Sequence, residues 1–441
     1  EISQKIINEA QLESNLSNIA IVGDKMKSKK GISSKLFSSL GHNNINIRAI
    51  AQGGSERNIS IIIDEINTKK ALNSLHETFF EENLKDIHIF IIGVGNVGGF
   101  LMEQINKQKK FIAKNLKLNL KVLGISNSKK MLISDSEINL NKWHDSLTNS
   151  KTKADFINFQ DRVLELNLRN SLFIDNTASD LIPSVYSNYL KNGVGIITCN
   201  KIANSGENSN YELLKSLSRN YNSPFFYETN VGAALPVIST LNNLLNSGDK
   251  VIKIEAVLSG TLNYIFNSFK KPNTFFEIVS NAVDLGYTEP DPKIDLCGID
   301  VSRKILILAR ESGLKIEFDD IHKNHFLPED SINTKTKDEF LLSLKNNNDH
   351  FNKLLKKAEE NNCRLKFVAK LDKGKASVGL ELVPIDHPFY NLVGSDNITM
   401  FYTERYSDSP LVVKGAGAGG EFTASGVFAD IIKASQENGK H

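Results

Sequence analysis

The stretch Ile87–Gly99 reads IHIFIIGVGNVGG, and the fold turns on it. A short segment in which only His88 is polar forms an apolar strand. That strand enters Gly93-x-Gly95-x-x-Gly98. In this spacing the first glycine permits a tight turn and the second lets backbone approach a pyrophosphate. The third allows close packing of helix on strand. The helix that follows carries Leu101 and Ile105 on one face and offers its N-terminus to phosphate charge. Such a turn alone also occurs in α/β domains that bind nothing. Here it follows a strand and opens a helix, the context a dinucleotide site requires.

Downstream, the candidate strands Lys121–Ile125, Leu172–Asp175, Gly195–Thr198 and Phe225–Tyr227 alternate with helical stretches, the pattern of a parallel sheet. The second strand runs out into Gly124-Ile-Ser-Asn-Ser-Lys-Lys130. NAD-selective sites usually place a carboxylate there for the ribose 2′-hydroxyl. Ser126, Asn127, Ser128, Lys129 and Lys130 stand there instead, and small polar and cationic groups suit a 2′-phosphate. NADP is therefore the expected cofactor, with NAD the alternative.

Upstream, Asn18–Gly23 reads as a strand, and Ile32, Leu36, Phe37 and Leu40 mark a helix. Two strands, Ile45–Ala51 and Ile59–Ile63, follow, then a helix through Leu72, Leu75 and Phe79, which together make a small α+β unit. Residues 1–17 are polar and helix-compatible, and the charged stretch Glu81–Asp86 marks a boundary. After Val231, long helices mix with strands such as Val251–Leu258, and a Gly-rich element, Gly415–Gly420, comes near the end. The expected fold class is α/β. An α+β unit occupies 1–85, and a Rossmann-type parallel sheet is built from 86–230 and 408–441. An α+β substrate unit takes 231–407.

The whole chain is consistent with this. At roughly 150 residues per domain, 441 residues suggest about three domains. A formal net charge of +2, with lysines spread along the chain, points to neither nucleic acid nor an anionic membrane surface. Cys199, Cys297 and Cys363 lie far apart without metal-ligand spacing, which suits a reducing compartment. No apolar run approaches the ~18–20 residues that span a bilayer, and no signal-peptide pattern is present, so a cytoplasmic location is expected. The chain begins at Glu1, not Met, which suggests a piece of a longer protein.

The chemistry-bearing stretch is 286–304, GYTEPDPKIDLCGIDVSRK. Carboxylates crowd around Pro290 and Pro292, which stiffen the entry to a helix expected from about Leu296 to Ser312, with Gly313 as its C-cap. Asp300 and Lys304, four apart, share one helix face with Leu296 and Ile307. A surface ion pair would show the same spacing, but the apolar surroundings favour a partly buried pair in need of a partner. Lys201 follows the strand of Gly195–Thr198, at the end of a parallel strand where open α/β sheets place ligands.

Taken together, these motifs resemble homoserine dehydrogenase in the form fused behind aspartokinase. The matching strings are Gly93–Gly99 (GVGNVGG), Asp175–Ser179 (DNTAS), Asn200-Lys201, Glu228–Val237 (ETNVGAALPV), Ser259–Phe266 (SGTLNYIF), Gly286–Lys304 and Lys414–Ile431 (KGAGAGGEFTASGVFADI). Residues 18–80 resemble an ACT regulatory domain through VGD.M at 22–26, GIS at 31–33 and AIAQG.SERNIS at 49–60. No kinase phosphate-binding segment is present, and no kinase activity is expected. Ala234 departs from the glycine common in the family.

The resemblance implies NAD(P)H-dependent reduction of aspartate 4-semialdehyde to homoserine, in threonine and methionine biosynthesis. It implies Lys201, Lys304 and Asp300 as catalytic groups, and Glu289, Asp295 and Thr261 as substrate contacts. Gly93, Gly95, Asn96, Val97, Gly98, Ser126, Ser128, Lys129, Thr177, Ala178, Ser179, Lys201, Gly415, Gly417 and Gly419 would hold the cofactor. Glu228 with Val231, Ala233 and Leu235 matches a sodium site, and Gln52 a threonine-effector contact. A homodimer or higher homo-oligomer is expected. Two other readings start from the same residues: another NADP-dependent oxidoreductase on this scaffold, or an ACT-linked amino-acid sensor with an inactive dehydrogenase domain.

Overall fold

Three sheets organise the chain in a computed structural model that describes residues 12–24, 26, 28–54, 57–80 and 84–437. The expectations for residues 1–11 and for Glu81 to Asn83 lie outside the described residues. So do Lys25 of the VGD.M string and Ser55 and Glu56 of the SERNIS string. Leu16 and Ser17, expected in a helix-compatible run, open a strand instead.

The first sheet consists of β1 (Leu16–Val22), β2 (Ile47–Gln52) and β3 (Asn58–Asp64), antiparallel in the order β1-β3-β2. The helices Ile32–His42 and Thr68–Phe80 enclose with it a small core around Leu36, Leu40, Ile61 and Leu75. Leu75 and Phe79 of Thr68–Phe80 face this core as the periodicity suggests, but the third residue of the pattern does not. Leu72 is exposed, and Lys70 is buried beside Ala71, Ser74 and Leu75.

The second sheet holds β4 (Lys85–Ile92), β5 (Leu118–Ser126), β6 (Met131–Ile133), β7 (Ser171–Asp175), β8 (Gly195–Thr198) and β9 (Phe225–Phe226). Their order is β6-β5-β4-β7-β8-β9, parallel except for β6. Ile89, Phe90 and Ile91 of β4 are wholly buried, as a strand covered on both faces requires. Strand order reverses between β4 and β7, so a crevice opens beyond their C-terminal ends. The helix Asn96–Leu116 and the C-terminal helix Gly420–Glu437 cover one face, with Leu101, Ile105, Val427 and Ile431 in its core.

The third sheet is β10 (Val251–Val257), β11 (His322–Asn324), β12 (Arg364–Asp372), β13 (Lys375–Val383), β14 (Asp396–Thr403) and β15 (Leu411–Ala416). It runs β11-β13-β12-β10-β14-β15 and is antiparallel except for β11 beside β13. One apolar cluster passes from Phe90 and Phe173 through Tyr227 and Ile238 to Ile305, Leu308 and Phe367, so the second and third sheets share a core.

Two expectations are corrected here. The 408–441 segment does not return whole to the nucleotide-binding sheet: β15 pairs with β14, and only the helix from Gly420 packs there. The single helix expected from Leu296 to Ser312 is two, Pro292–Leu296 and Ile299–Glu311. Gly298 breaks it at φ 69°, where an added Cβ would come within 2.5 Å of the Phe367 ring. Leu296 therefore leaves the helix that carries Asp300 and Lys304. Gly313, at φ 90°, closes the second helix as expected.

Gly298→Ala combines a left-handed backbone with overlap on Phe367, so it should cost about 2–4 kcal/mol. Urea unfolding followed by circular dichroism measures this, and an unchanged midpoint would refute the account of the break.

Candidate functional site

At the switch point the Gly-rich turn has the dimensions its spacing implies. Gly93 adopts φ 95°, and a Cβ there would meet the Asn176 carbonyl carbon at 2.8 Å. A Cβ on Gly98 would lie 2.2 Å from the Gly93 oxygen, whereas nothing stands within 4 Å of one on Gly95. The outer two glycines close the turn and the middle one leaves it open, a cradle that fits a pyrophosphate. Asn96 and Val97 open the helix behind it.

Around the cradle, the other expected cofactor residues arrive from three directions. The Gly415–Gly420 segment lies alongside, since a Cβ on Gly420 would touch the Asn96 amide at 2.8 Å. Gly417 packs on Asn397, and Gly419 turns at φ 111° into the last helix. Thr177, Ala178 and Ser179 follow β7, on a loop that Asp175 stiffens. The buried Asp175 carboxylate accepts hydrogen bonds from the Thr177 N–H (2.8 Å), the Tyr186 hydroxyl (2.6 Å) and the Asn200 amide (3.1 Å). Asn200 also donates to the Ser179 carbonyl at 2.8 Å, which ties the loops after β7 and β8 together. At the end of β5, Ser126 is buried and turns its hydroxyl onto the Asn127 carbonyl at 3.1 Å, while Ser128 and Lys129 stand exposed.

Opposite, an ionic bridge joins the two larger sheets. Lys201, just after β8, places its Nζ 3.1 Å from one oxygen of Asp300. Lys304, one turn along the helix from Asp300, places its Nζ 2.8 Å from the other and also donates to the Leu258 carbonyl at 2.6 Å. The Lys304 side chain is 9% exposed and that of Asp300 45%, so the carboxylate faces the open cleft above a buried ammonium. Burial alone would raise the Asp300 carboxyl, but the charges of Lys304 and Lys201 outweigh it and hold it far below the usual range. Burial lowers the Lys304 ammonium, with Asp300 opposing. For Lys201 burial also lowers, but Asp300 prevails and the ammonium is raised.

Beside this bridge, Asp295 ends the short helix Pro292–Leu296. Its carboxylate accepts the Glu289 N–H at 2.8 Å, and Thr261 donates its hydroxyl to the Tyr287 carbonyl at 2.5 Å. Burial lifts the Asp295 carboxyl to about 6, and neighbouring Glu289 and Asp300 add to the rise. The structure thus gathers Lys201, Lys304, Asp300, Asp295, Glu289 and Thr261, drawn from four segments.

Glu228 has a different neighbourhood from the one its motif implies. Its two oxygens accept the N–H groups of Ile238 (2.6 Å) and Ser239 (2.8 Å) and so cap the helix Val237–Asn246. The Leu235 carbonyl accepts the Val237 N–H at 2.8 Å. Two of the four expected sodium ligands are thus engaged by protein donors, a poor fit to an open oxygen cage. Gln52 ends β2 in the first sheet and is exposed.

One supporting cluster escaped the sequence reading. Glu311, at the far end of the Asp300 helix, is a buried carboxylate that accepts the hydroxyls of Tyr211 (2.6 Å) and Tyr227, with Lys215 at 3.3 Å. Next to it, Arg310 donates to the Asn204 carbonyl at 2.9 Å. These bonds pin the helix to the nucleotide-binding unit. A glutamate in the last turn of a long apolar helix is the only local signal.

Comparison with known proteins places this geometry. A homoserine dehydrogenase family model matches residues 236–432, a homoserine dehydrogenase NAD-binding domain matches 93–228, and an ACT domain matches 19–79. The chain is 41% identical over 430 residues to a chloroplastic bifunctional aspartokinase/homoserine dehydrogenase of Arabidopsis thaliana, covering 97% of this chain and 47% of that protein. It thus spans about half the length of that relative. A Schizosaccharomyces pombe homoserine dehydrogenase is 37% identical over 359 residues, 79% of this chain and 95% of that one. Among solved structures, a hyperthermophilic archaeal homoserine dehydrogenase in complex with NADPH superposes with a TM-score of 0.62 at 25% identity, covering 79% of this chain and 98% of that one. No helix among the described residues is long and apolar enough to cross a membrane.

Because a single Glu311 oxygen accepts both phenols, Tyr211→Phe and Tyr227→Phe should each lose about 1–3 kcal/mol of stability. Their double variant should depart from additivity. Urea titration of the three variants is the check, and strictly additive losses would count against a shared acceptor.

Proposed function

The chain belongs to the homoserine dehydrogenase family, and on that premise we propose that its cleft reduces aspartate 4-semialdehyde to homoserine with NADP as the preferred cofactor. The observation that carries the reading is the Asp300 carboxylate held between Lys201, at the end of a strand of the sheet that carries the Gly93–Gly98 turn, and Lys304. A dinucleotide bound at that turn, with Thr177, Ala178 and Ser179 beside the nicotinamide and Lys129 near the ribose, would supply the hydride.

The residues of the chain do the remainder. Lys201 and Lys304 set two ammonium groups beside the aldehyde oxygen, polarise the carbonyl and stabilise the negative charge that grows there. Lys304, whose ammonium burial has made the more acidic, gives its proton to that oxygen. Lys201, held above its ordinary value by Asp300, keeps its charge throughout. Asp300 orients both. Asp295 and Glu289 receive the substrate's α-ammonium, with Thr261 fixing the loop that carries Glu289. Fixing both reactants in one geometry contributes much of the rate. Outside the cleft, Gln52 is the proposed threonine contact of the ACT unit, and a homodimer the proposed working state.

Two measurements test this. Absorbance of NADPH, and separately NADH, is followed after adding aspartate 4-semialdehyde. Oxidation should be rapid and faster with NADPH, and Lys201→Ala and Lys304→Ala should each lower turnover at least ~100-fold. Absence of oxidation in a folded, cofactor-binding protein would remove the reading. The second is pH dependence. Asp295, with a carboxyl at about 6, is ionised above that pH and loses its charge below it. KM for the semialdehyde should therefore climb as pH falls through about 6, more steeply than kcat declines, and Asp295→Asn should flatten that limb. A KM insensitive to pH in the native chain would exclude Asp295 from substrate binding.

A further inference from the structure

A cavity of about 240 Å³ lies where the ACT unit meets the nucleotide-binding sheet, far from the catalytic cleft in the fold. The helix Thr68–Phe80 lines it with Lys69, Lys70, Asn73 and His76, β4 with Asp86 and His88, and the segment before β7 with residues 166–169. Its charges do not balance. Asp86 is engaged by Lys121 at 2.6 Å and by Asn119 at 2.7 Å, and Arg169 is engaged by Glu77 at 3.0 Å. Lys70 is left over. It lines the cavity, is only 8% exposed, and among the described residues no charge or hydrogen-bonding partner acts on its ammonium.

A buried ammonium without a counter-charge is costly unless it gives up its proton or gains an anion. Burial is the one influence on Lys70, and it pushes the group down to about 8. Leucine would have packed on that helix face at no such cost, yet Leu72 points outward and Lys70 inward. Lys69 at the exposed rim adds a second positive charge, and the exposed Asn73 also lines the rim.

We propose that this cavity is a binding site for a small oxyanion, a phosphate or a carboxylate, held by the buried ammonium of Lys70 with Lys69 and Asn73 at the rim. Its walls come from both units, so an occupant bridges them. Arg169 already links them by donating to the Asn73 carbonyl, and Asn167 by donating to the Asn67 side chain at 3.1 Å. The anion therefore binds at a joint between the ACT unit and the sheet that carries the cofactor turn, which makes its occupancy a way to stiffen that joint.

The test uses the full chain and two probes, inorganic phosphate and succinate, at ionic strength held constant with chloride. Each is followed by isothermal titration calorimetry and by thermal unfolding. Saturable binding of phosphate, weakened at least about tenfold in Lys70→Met, supports the proposal with phosphate as the source. The same result with succinate alone supports it with a carboxylate as the source. Asn73→Asp, an exposed change that adds a negative charge at the rim, should abolish binding without touching Lys70, and serves if Lys70→Met does not fold. Lys129→Ala, at the cofactor site, should leave this binding intact. Failure of both anions to bind saturably, or binding unaltered in Lys70→Met and Asn73→Asp, would overturn it. Catalytic activity enters none of these readouts, so the outcome is independent of the dehydrogenase reading.

Discussion

The bridge Lys201–Asp300–Lys304 is the interaction on which the rest of the site depends. Its first lysine hangs from the end of a parallel strand, and the other two groups from a helix packed on a different sheet. Two ammonium groups this close repel each other unless a carboxylate lies between them, and removing the carboxylate leaves the buried Lys304 ammonium facing a like charge without compensation. The same three side chains thus hold two units in register and concentrate positive charge at one point of the cleft. A structure that separated the units would lose both at once.

Much of the remaining architecture supports that meeting. Glu311 and Arg310 anchor the far end of the helix to residues of the nucleotide-binding unit. Gly298, folded against Phe367, breaks the chain just before Asp300, so the short helix with Asp295 and the long helix with Asp300 point differently into the cleft. Asp175 and Asn200 lock the loops after β7 and β8, which fixes where Lys201 begins.

The environments then push like groups apart. Asp295 and Asp300 are both aspartates near one another, yet burial lifts the first to about 6 while two ammonium groups drive the second far down. Lys304 falls below its ordinary value, because the nearby charge of Lys201 adds to its burial, whereas at Lys201 the attraction of Asp300 outweighs burial and raises the group. Paired groups with separated proton affinities divide the work of binding, orienting and proton transfer between them.

What the sequence by itself determined is what depends on near neighbours. The apolar run into Gly93-x-Gly95-x-x-Gly98 specifies strand, turn and helix, because the turn's conformation and the third glycine's clearance are set within a few residues. The alternation of strands and helices specifies a parallel sheet, and the four-residue spacing of Asp300 and Lys304 puts them on one helix face. Only the tertiary structure decided the rest. That Lys201 closes on Asp300, that Gly298 folds against Phe367 and breaks a helix the periodicity reads as continuous, that β15 joins β14, and that Lys70 turns inward in place of Leu72 all follow from packing between distant segments. Periodicity counts residues along one helix and carries no record of which surface will cover it. The partners of a side chain, and with them its charge state, are settled when separate elements compete for the same interior.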